Sequence, residues 1–253
     1  MSGPPVLALN PTSPSQEAAR ARILIADDHP LVRDGLTLLI SGQHDLSCCG
    51  QAGTVAETQI QVAKLRPDLI ILDLRLKGGD GMELIKILSA EHPAVRIMIL
   101  SQHTGALYVE RALRAGAVGY VSKEHAAEEL LKAIHAVLAG EIYLERGMAA
   151  LLLQRFVGTP AQAAPGGIEQ LTDREMHVFQ LLGAGRSTRE IAADLNRSFK
   201  TVESHRENIK RKLQLRGAAE LVNRAIEWGL EPVSLSGPVE IRKPETIEAA
   251  ARP

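Results

Sequence analysis

Three carboxylates, a hydroxyl and an ammonium group stand where short apolar runs of this sequence end. Asp27 and Asp28 follow ILIA, Asp73 follows LIIL, Ser101 ends RIMILS and Lys123 follows YVS. Three acids that lie close together repel one another unless a cation sits among them, and oxygen ligands of this kind suit Mg²⁺. Beside a metal and a lysine, a carboxylate such as Asp73 can attack phosphorus and form an aspartyl phosphate.

The segments that carry these residues alternate between apolar runs and helical periodicity. Five apolar runs are each followed by an amphipathic stretch, which predicts a parallel sheet covered by helices. Five such units fit one doubly wound α/β domain over residues 21–140. Because ligands bind beyond the carboxyl ends of parallel strands, we expect the five groups to meet at one edge of the sheet.

Each of these residues also has an ordinary structural explanation. Acids at strand ends are commonly turn or cap residues, so Asp27 and Asp28 could cap the helix after Pro30, and Lys123 could be a solvated loop charge. Taken singly, the ordinary explanation is the more common one. Their occurrence at the ends of four different strands favours the chemical interpretation.

The overall composition limits the class of protein. The chain has 253 residues, a net charge of −1 and 45% hydrophobic residues, which is typical of a soluble two-domain protein whose basic patches are local. No apolar run approaches the roughly 18 residues of a membrane span, and the N-terminus does not resemble a signal peptide. The adjacent Cys48 and Cys49 suit a buried strand in a reducing compartment better than a disulfide framework. We therefore expect a cytoplasmic protein with no membrane partner.

Three segments predict little fixed structure. Residues 1–20 are rich in Pro, Ser and Gln, and residues 231–253 contain four prolines; both are expected to be disordered. Residues 141–167 include GTPAQAAPGG and are predicted to form a flexible linker.

Residues 168–230 predict an all-α domain of four helices. Thr172 and Ser187 each precede a glutamate by three positions, as in a capping box, and Ser198 opens FKTVESHRENIKRKL. A short turn around Asn196 gives the last two of these segments helix-turn-helix proportions. Residues 197–216 hold seven Lys or Arg against two Glu, a local basic patch that a solvated helix face would also explain.

Four motifs together resemble the receiver domain of two-component response regulators: ILIADDHPLVRDGL, DLIILDLRLKGGDGMEL, MILSQHT and AGAVGYVSK. The resemblance covers residues 22–138 and implies a flavodoxin-like, five-stranded parallel fold. It also implies that Asp73 accepts phosphate from a sensor histidine kinase. The implied Mg²⁺ ligands are Asp27, Asp28, Asp73 and the backbone carbonyl of Arg75.

The same resemblance implies a switch. Ser101 would move to hydrogen-bond the phosphoryl oxygens, Tyr120 would turn inward behind it, and Lys123 would pair with the phosphate, so that about two added negative charges change the shape of one face. One departure stands out, because the family commonly has Met-Pro where this chain has Leu76-Lys77. The missing proline is expected to free the loop, and Lys77 to add a cation near the site; both changes bear on the phosphoryl lifetime and the partner surface.

The stretch from LTDREMHVFQLL to AIEWGL resembles the LuxR-type, or NarL/FixJ, DNA-binding domain. This likeness implies a recognition helix over residues 198–213 in the major groove of double-stranded DNA. The implied base readers are Glu203, Ser204 and Glu207. The implied phosphate contacts are Lys200, Thr201, His205, Arg206, Lys210 and Arg211.

Residues of this domain also allow other roles. The last helix is predicted to offer a dimer face, although packing inside the domain explains any one of its members equally well. The members of this face are Leu221, Val222, Ala225 and Ile226. His205 lacks partner ligands at metal-binding spacing, and Trp228 is expected in the core.

Together these features predict a transcription regulator that is not an enzyme, whose phosphorylation promotes a homodimer on DNA and contact with the transcription machinery. The alternatives are a Mg²⁺ phosphohydrolase with Asp73 as nucleophile, and a regulator that acts without phosphate. The phosphohydrolase leaves the helical domain unexplained. The intact acids disfavour the phosphate-independent regulator, although the Leu76-Lys77 departure keeps it open.

Overall fold

The computed structural model describes residues 20–102, 105–157 and 167–230. Nearly all of the predicted leader, the whole predicted tail and the Pro-rich part of the predicted linker lie outside these residues. The first domain consists of alternating strands and helices. Its elements are β1 (Ala21–Ala26), α1 (Pro30–Ser41), β2 (Leu46–Ala52), α2 (Val55–Leu65), β3 (Leu69–Leu72), α3 (Gly81–Glu91), β4 (Arg96–Ser101), α4 (Ala106–Ala115), β5 (Gly119–Ser122), α5 (Ala126–Leu138), β6 (Tyr143–Leu144) and α6 (Arg146–Val157).

The strands form a parallel sheet in the order β2-β1-β3-β4-β5-β6. Residues of β3 are buried throughout, as the apolar run LIIL predicts for a strand covered on both faces. Two apolar clusters line the opposite faces of the sheet. The doubly wound α/β fold is confirmed.

The sheet contains one strand more than the sequence predicts. Residues 141–167 were predicted to be a linker, but Tyr143 pairs with Gly119 and Leu144 with Tyr120 to form β6, and α6 follows. The strand has two residues, too few for a period to be visible in the sequence. The edge strand β2 holds Cys48 and Cys49, which are free and only half-buried rather than buried, because one side of β2 has no neighbouring strand.

The second domain is all-helical, as predicted. After a single 3₁₀ turn (Ile168–Gln170) come α7 (Asp173–Gly183), α8 (Thr188–Asp194), α9 (Phe199–Lys212) and α10 (Ala218–Leu230). Both predicted capping boxes are present, at Thr172 and at Ser187, and Ser198 caps α9 by accepting from the Thr201 N–H. The turn between α8 and α9 places Asn196 at a positive φ of 50°, a conformation that asparagine adopts more readily than most residues.

No helix among the described residues is long and apolar enough to cross a membrane.

Candidate functional site

The predicted acidic residues meet at the carboxyl edge of the sheet because the backbone hydrogen bonds continue past the strand ends. Asp27 N donates to Ala52 O at 3.1 Å, and Asp73 N donates to Ala26 O at 2.8 Å. Ligand atoms of Asp27, Asp28, His29 and Asp73 all lie within 4.8 Å of one another. Asp27 and Asp73 are each only 2% exposed, so their charges lie in a region of reduced dielectric.

Lys123 bridges two of these acids. Its Nζ lies 2.6 Å from Asp27 Oδ2 and 2.7 Å from Asp73 Oδ2, and its backbone N–H donates to Ser101 O. Burial alone would lower the pKa of Lys123, but the charge of Asp73 and the hydrogen bonds to Asp27 and Asp73 outweigh burial and raise it. The ammonium group is therefore charged at neutral pH.

The acidic residues fit a hard divalent cation. Asp28 Oδ1 is buried and makes no hydrogen bond to a described residue, although His29 Nδ1 lies 2.7 Å away without hydrogen-bond geometry. A buried carboxylate oxygen without a donor is destabilising, and an adjacent cation removes that penalty. Arg75, the expected carbonyl ligand, follows Asp73 closely, and its N–H donates to Asp73 Oδ1 at 3.2 Å. This oxygen set suits Mg²⁺.

The two predicted switch residues behind Asp73 are buried. Tyr120 and Ser101 are fully buried and hydrogen-bonded to each other. Burial raises the pKa of the Tyr120 phenol, and the charge of Asp73 adds to the shift. The inward position that the sequence assigns to Tyr120 only after phosphorylation is thus already occupied in this structure.

The Leu76-Lys77 loop is held on two sides, contrary to the expectation that a missing proline frees it. Leu76 is buried in the core. Val55 N donates to Lys77 O, and Gly78 N donates to Asp194 O in the second domain, each at 3.0 Å. Gly78 has a φ of +80°, a conformation that favours glycine.

One contact between the second domain and the first is centred on Asp173, at the start of α7. Its carboxylate pairs with Lys86 Nζ at 2.6 Å and with Arg111 Nη1 at 3.1 Å. Arg111 also donates to the carbonyl of Leu171 at 2.6 Å and to that of Glu169 at 3.3 Å. One arginine of α4 therefore fixes the start of α7.

A second interdomain contact centres on Asp80, the N-cap of α3, which accepts from Met82 N at 3.0 Å. Arg174 Nη1 lies 3.6 Å and His177 Nδ1 3.9 Å from its carboxylate. Both nitrogens are buried without a hydrogen-bond partner among the described residues. Burial lowers the pKa of His177, while the charge of Asp80 opposes that shift. The contact is thus adapted to neutral imidazole.

Aromatic residues complete the docking surface. Tyr108 of α4 accepts a hydrogen bond from Gln180 of α7, and its ring centroid lies 5.3 Å from that of Trp228 in α10. Trp228 also packs 5.7 Å from Phe179. Trp228, which was expected in the core, is partly buried and packs against the core at the interdomain contact.

A cleft between the domains opens beside the acidic cluster. The first domain lines it with Asp28, His29 and Arg75, and the second with Arg186 and Asp194. The docked helical domain thus forms one wall of a cleft that reaches Asp28 and His29 of the acidic cluster. Neither the position of His29 nor the docking roles of Asp173 and Tyr108 are predicted from the sequence. His29 directly follows the acid pair, which is a usable signal, whereas the docking roles depend on partners that are distant in sequence.

The residues predicted to contact DNA do not all lie on the surface of α9. Four are exposed, and the other five are partly buried. The exposed residues are Lys200, Ser204, Glu207 and Arg211. The partly buried residues are Thr201, Glu203, His205, Arg206 and Lys210. Burial lowers the pKa of His205, and Arg174 and Arg197 add to the shift against the opposing charge of Glu175. This imidazole therefore faces α7 and is neutral at pH 7.

The predicted dimer face of α10 is divided. Leu221 and Ala225 are buried inside the domain, and a Cβ added at Gly183 of α7 would lie 2.5 Å from Ala225 O. Packing against α7 accounts for both residues, so neither is available to a second copy in this conformation. Ile226 is 38% exposed and Val222 partly exposed; for these two the dimer face stays a prediction.

Comparison with known proteins gives matches for both domains. Residues 23–135 match the response regulator receiver domain family, and residues 169–225 match the bacterial regulatory proteins of the luxR family. The chain is 38% identical over 211 residues to the transcriptional activator protein ExaE of Pseudomonas putida, covering 82% of this chain and 97% of that protein. It is 31% identical over 215 residues to the transcriptional regulatory protein MctR of Rhizobium johnstonii, covering 85% and 97%.

Solved structures resemble the chain across both domains. One is RcsB from Salmonella enterica serovar Typhimurium bound to promoter P1flhDC in the presence of the phosphomimetic BeF₃⁻, with 27% identity and a TM-score of 0.62 over 82% of this chain and 99% of that chain. Another RcsB structure, from Salmonella typhimurium, has 26% identity and a TM-score of 0.65 over 83% and 98%.

Proposed function

Since the chain belongs to the two-component response regulators with a LuxR-type DNA-binding domain, which act as transcription regulators, we propose that phosphorylation of Asp73 by a sensor histidine kinase controls DNA binding by this chain. The observation that carries this proposal is the bridge from Lys123 to Asp27 and Asp73 at the edge of the sheet, in the same acidic cluster as Asp28, which lines the cleft to the docked second domain. A change of charge at Asp73 alters both the bridge and its surroundings.

The chemistry is a transfer between a phosphohistidine and a carboxylate. An oxygen of Asp73 forms a bond to phosphorus while the bond from phosphorus to the imidazole nitrogen breaks, and the electron pair leaves with the nitrogen. Lys123 neutralises charge on the transferred group, and Ser101 donates to its oxygens once it has moved. Asp27, Asp28, Asp73 and the carbonyl of Arg75 would hold Mg²⁺, which supplies further positive charge to the phosphoryl oxygens.

The phosphoryl group controls the docking of the second domain. It adds about two negative charges beside the Ser101–Tyr120 pair. Tyr108, on the following helix α4, holds Gln180 and Trp228 of the second domain. When the added charge displaces α4, docking weakens. The released domain then forms a homodimer on double-stranded DNA and contacts the transcription machinery. The proposed location is the cytoplasm.

The acceptor role is tested by labelling the full chain with acetyl phosphate in the presence of Mg²⁺. Asp73→Asn is expected to abolish the covalent phosphoryl group, because the amide is a poor nucleophile. A matched control is Asp68→Asn, at the opposite end of the same strand, where the carboxylate accepts from Arg22 N at 2.8 Å; it should label normally. Persistent labelling of the Asp73→Asn chain would contradict the assignment. Steady release of phosphate over many turnovers would favour a phosphohydrolase instead.

A further inference from the structure

Helix α9 carries two glutamates in different surroundings. Glu203 Oε1 accepts hydrogen bonds from the Thr188 hydroxyl at 2.9 Å and from Arg206 Nη1 at 3.1 Å. Arg206 also donates to Thr188. Thr188 is buried at the first position of α8. These three residues, the Thr188 network, tie the two helices of the helix-turn-helix motif together.

Glu207 lies one turn further along and belongs to no such network. Its side chain is 66% exposed and forms an ion pair at 2.7 Å with Lys210, whose side chain is 20% exposed. A carboxylate that is largely in solvent readily exchanges such a pair for another partner. Glu207 shares the exposed face of α9 with Lys200, Ser204 and Arg211, which recur at intervals of three and four residues.

From this difference we propose that Glu207 reads a base edge, whereas Glu203 is a positioning residue that holds α9 on α8. A carboxylate in the major groove accepts a hydrogen bond from the cytosine N4 amino group. Glu207 can do so by giving up one ion pair whose carboxylate lies largely in solvent. Glu203 would leave a buried hydroxyl and a guanidinium that is 17% exposed without their acceptor, a loss that a base contact does not recover.

The Thr188 network gives Arg206 a structural role instead of the implied phosphate contact. Its guanidinium is committed to Glu203 and Thr188. The exposed Lys200 and Arg211 remain as phosphate contacts beside the reading position. This division rests on the proposed function, because it requires α9 to enter the major groove.

The test begins by selecting binding sites from random duplex DNA with the full chain treated with acetyl phosphate. Affinities of wild type, Glu207→Gln and Glu203→Gln are then measured by fluorescence anisotropy on the selected site and on each single-base variant. Glutamine pairs with adenine, so Glu207→Gln should move the preference at one base pair of each half-site from cytosine to adenine by about tenfold. Glu203→Gln should weaken binding to all sequences by one common factor of about five and leave the base preferences unchanged.

A second pair of variants distinguishes an effect on the position of α9 from an effect on the stability of the chain alone. Thr188→Val removes the hydroxyl and should reproduce the Glu203→Gln profile, whereas Thr188→Ser keeps the hydroxyl and should bind as wild type. All measurements are made well below the unfolding temperature of each variant. A shifted base preference in Glu203→Gln, or an unshifted one in Glu207→Gln, would overturn the proposal. So would wild-type affinity of folded Glu203→Gln and Thr188→Val chains with only a lower unfolding temperature. Failure of the wild-type chain to select any sequence would instead refute the proposed function.

Discussion

The charge balance of the acidic cluster depends on Lys123, which contacts both Asp27 and Asp73. Lys123→Ala leaves two nearly buried carboxylates without this counter-charge, and breaking such a pair costs about 3 kcal/mol. A bound Mg²⁺ replaces part of the lost charge. We therefore expect a clear drop in the unfolding temperature in the presence of a chelator and partial recovery in millimolar Mg²⁺, both measured by circular dichroism.

Lys132→Ala provides the matched control for the Lys123 prediction. Its ammonium is 67% exposed and pairs with Glu129 at 3.0 Å, and exposed pairs of this kind contribute about 0–1 kcal/mol. Its unfolding temperature should stay close to wild type and should not depend on Mg²⁺. If the unfolding temperature of Lys123→Ala also stays close to wild type and does not depend on Mg²⁺, Lys123 does not offset the charges of Asp27 and Asp73.

Helices α7 and α10 approach each other closely at Gly183. A Cβ at this position would lie 2.5 Å from the carbonyl oxygen of Ala225, so Gly183→Ala must push the helices apart at a cost of about 1–3 kcal/mol. The same substitution at Gly35 meets no atom within 4 Å inside α1 and should stabilise by about 0.5–1 kcal/mol. Thermal unfolding of the two variants measures both effects. Equal unfolding temperatures of the two variants would show that α7 and α10 can move apart without a cost in stability.

The elements that the sequence predicts are those whose signal is local. The apolar run ending at Leu72 and the capping box at Thr172 each depend on neighbouring residues, and both are present in the structure. Convergence of the acids at one edge follows from the parallel sheet. By contrast, the strand at Tyr143 is too short to show a period. The roles of Thr188 and Asp173 are set by partners that are distant in sequence, which no local pattern reports.

At the scale of the whole molecule, docking should depend on pH through His177. Burial in the docked structure lowers the pKa of this imidazole against the opposing charge of Asp80, while an undocked chain takes up a proton near the ordinary pKa of about 6.5. Docking is therefore fully favoured above that value and weakens as the pH falls below it. Trp228, the only tryptophan of the chain, packs against Tyr108 across the interface, so its fluorescence reports this change.

Two variants isolate the contribution of His177 to the pH dependence. His177→Gln removes the titrating group and should flatten the fluorescence change between about pH 7 and the lower values at which His177 titrates. His44→Gln, at a side chain that is 96% exposed, should leave the change intact. An unchanged profile in the His177→Gln chain would attribute the pH dependence to other groups at the interface.

Docking should also set the DNA affinity of the unphosphorylated protein, and Arg111 tests this from the receiver side. Arg111→Ala removes the bonds to Asp173 and to the carbonyls of Glu169 and Leu171 without altering the DNA-binding domain itself. Loss of such a partly buried charged contact costs about 1.5–3 kcal/mol, enough to raise the undocked fraction by roughly tenfold or more. We expect tighter DNA binding without phosphodonor, and a smaller gain on adding beryllium fluoride, both measured by fluorescence anisotropy. Arg114→Ala, on the same helix and 72% exposed, should retain the wild-type gain. If Arg111→Ala retains it too, the docked arrangement does not restrain the DNA-binding domain.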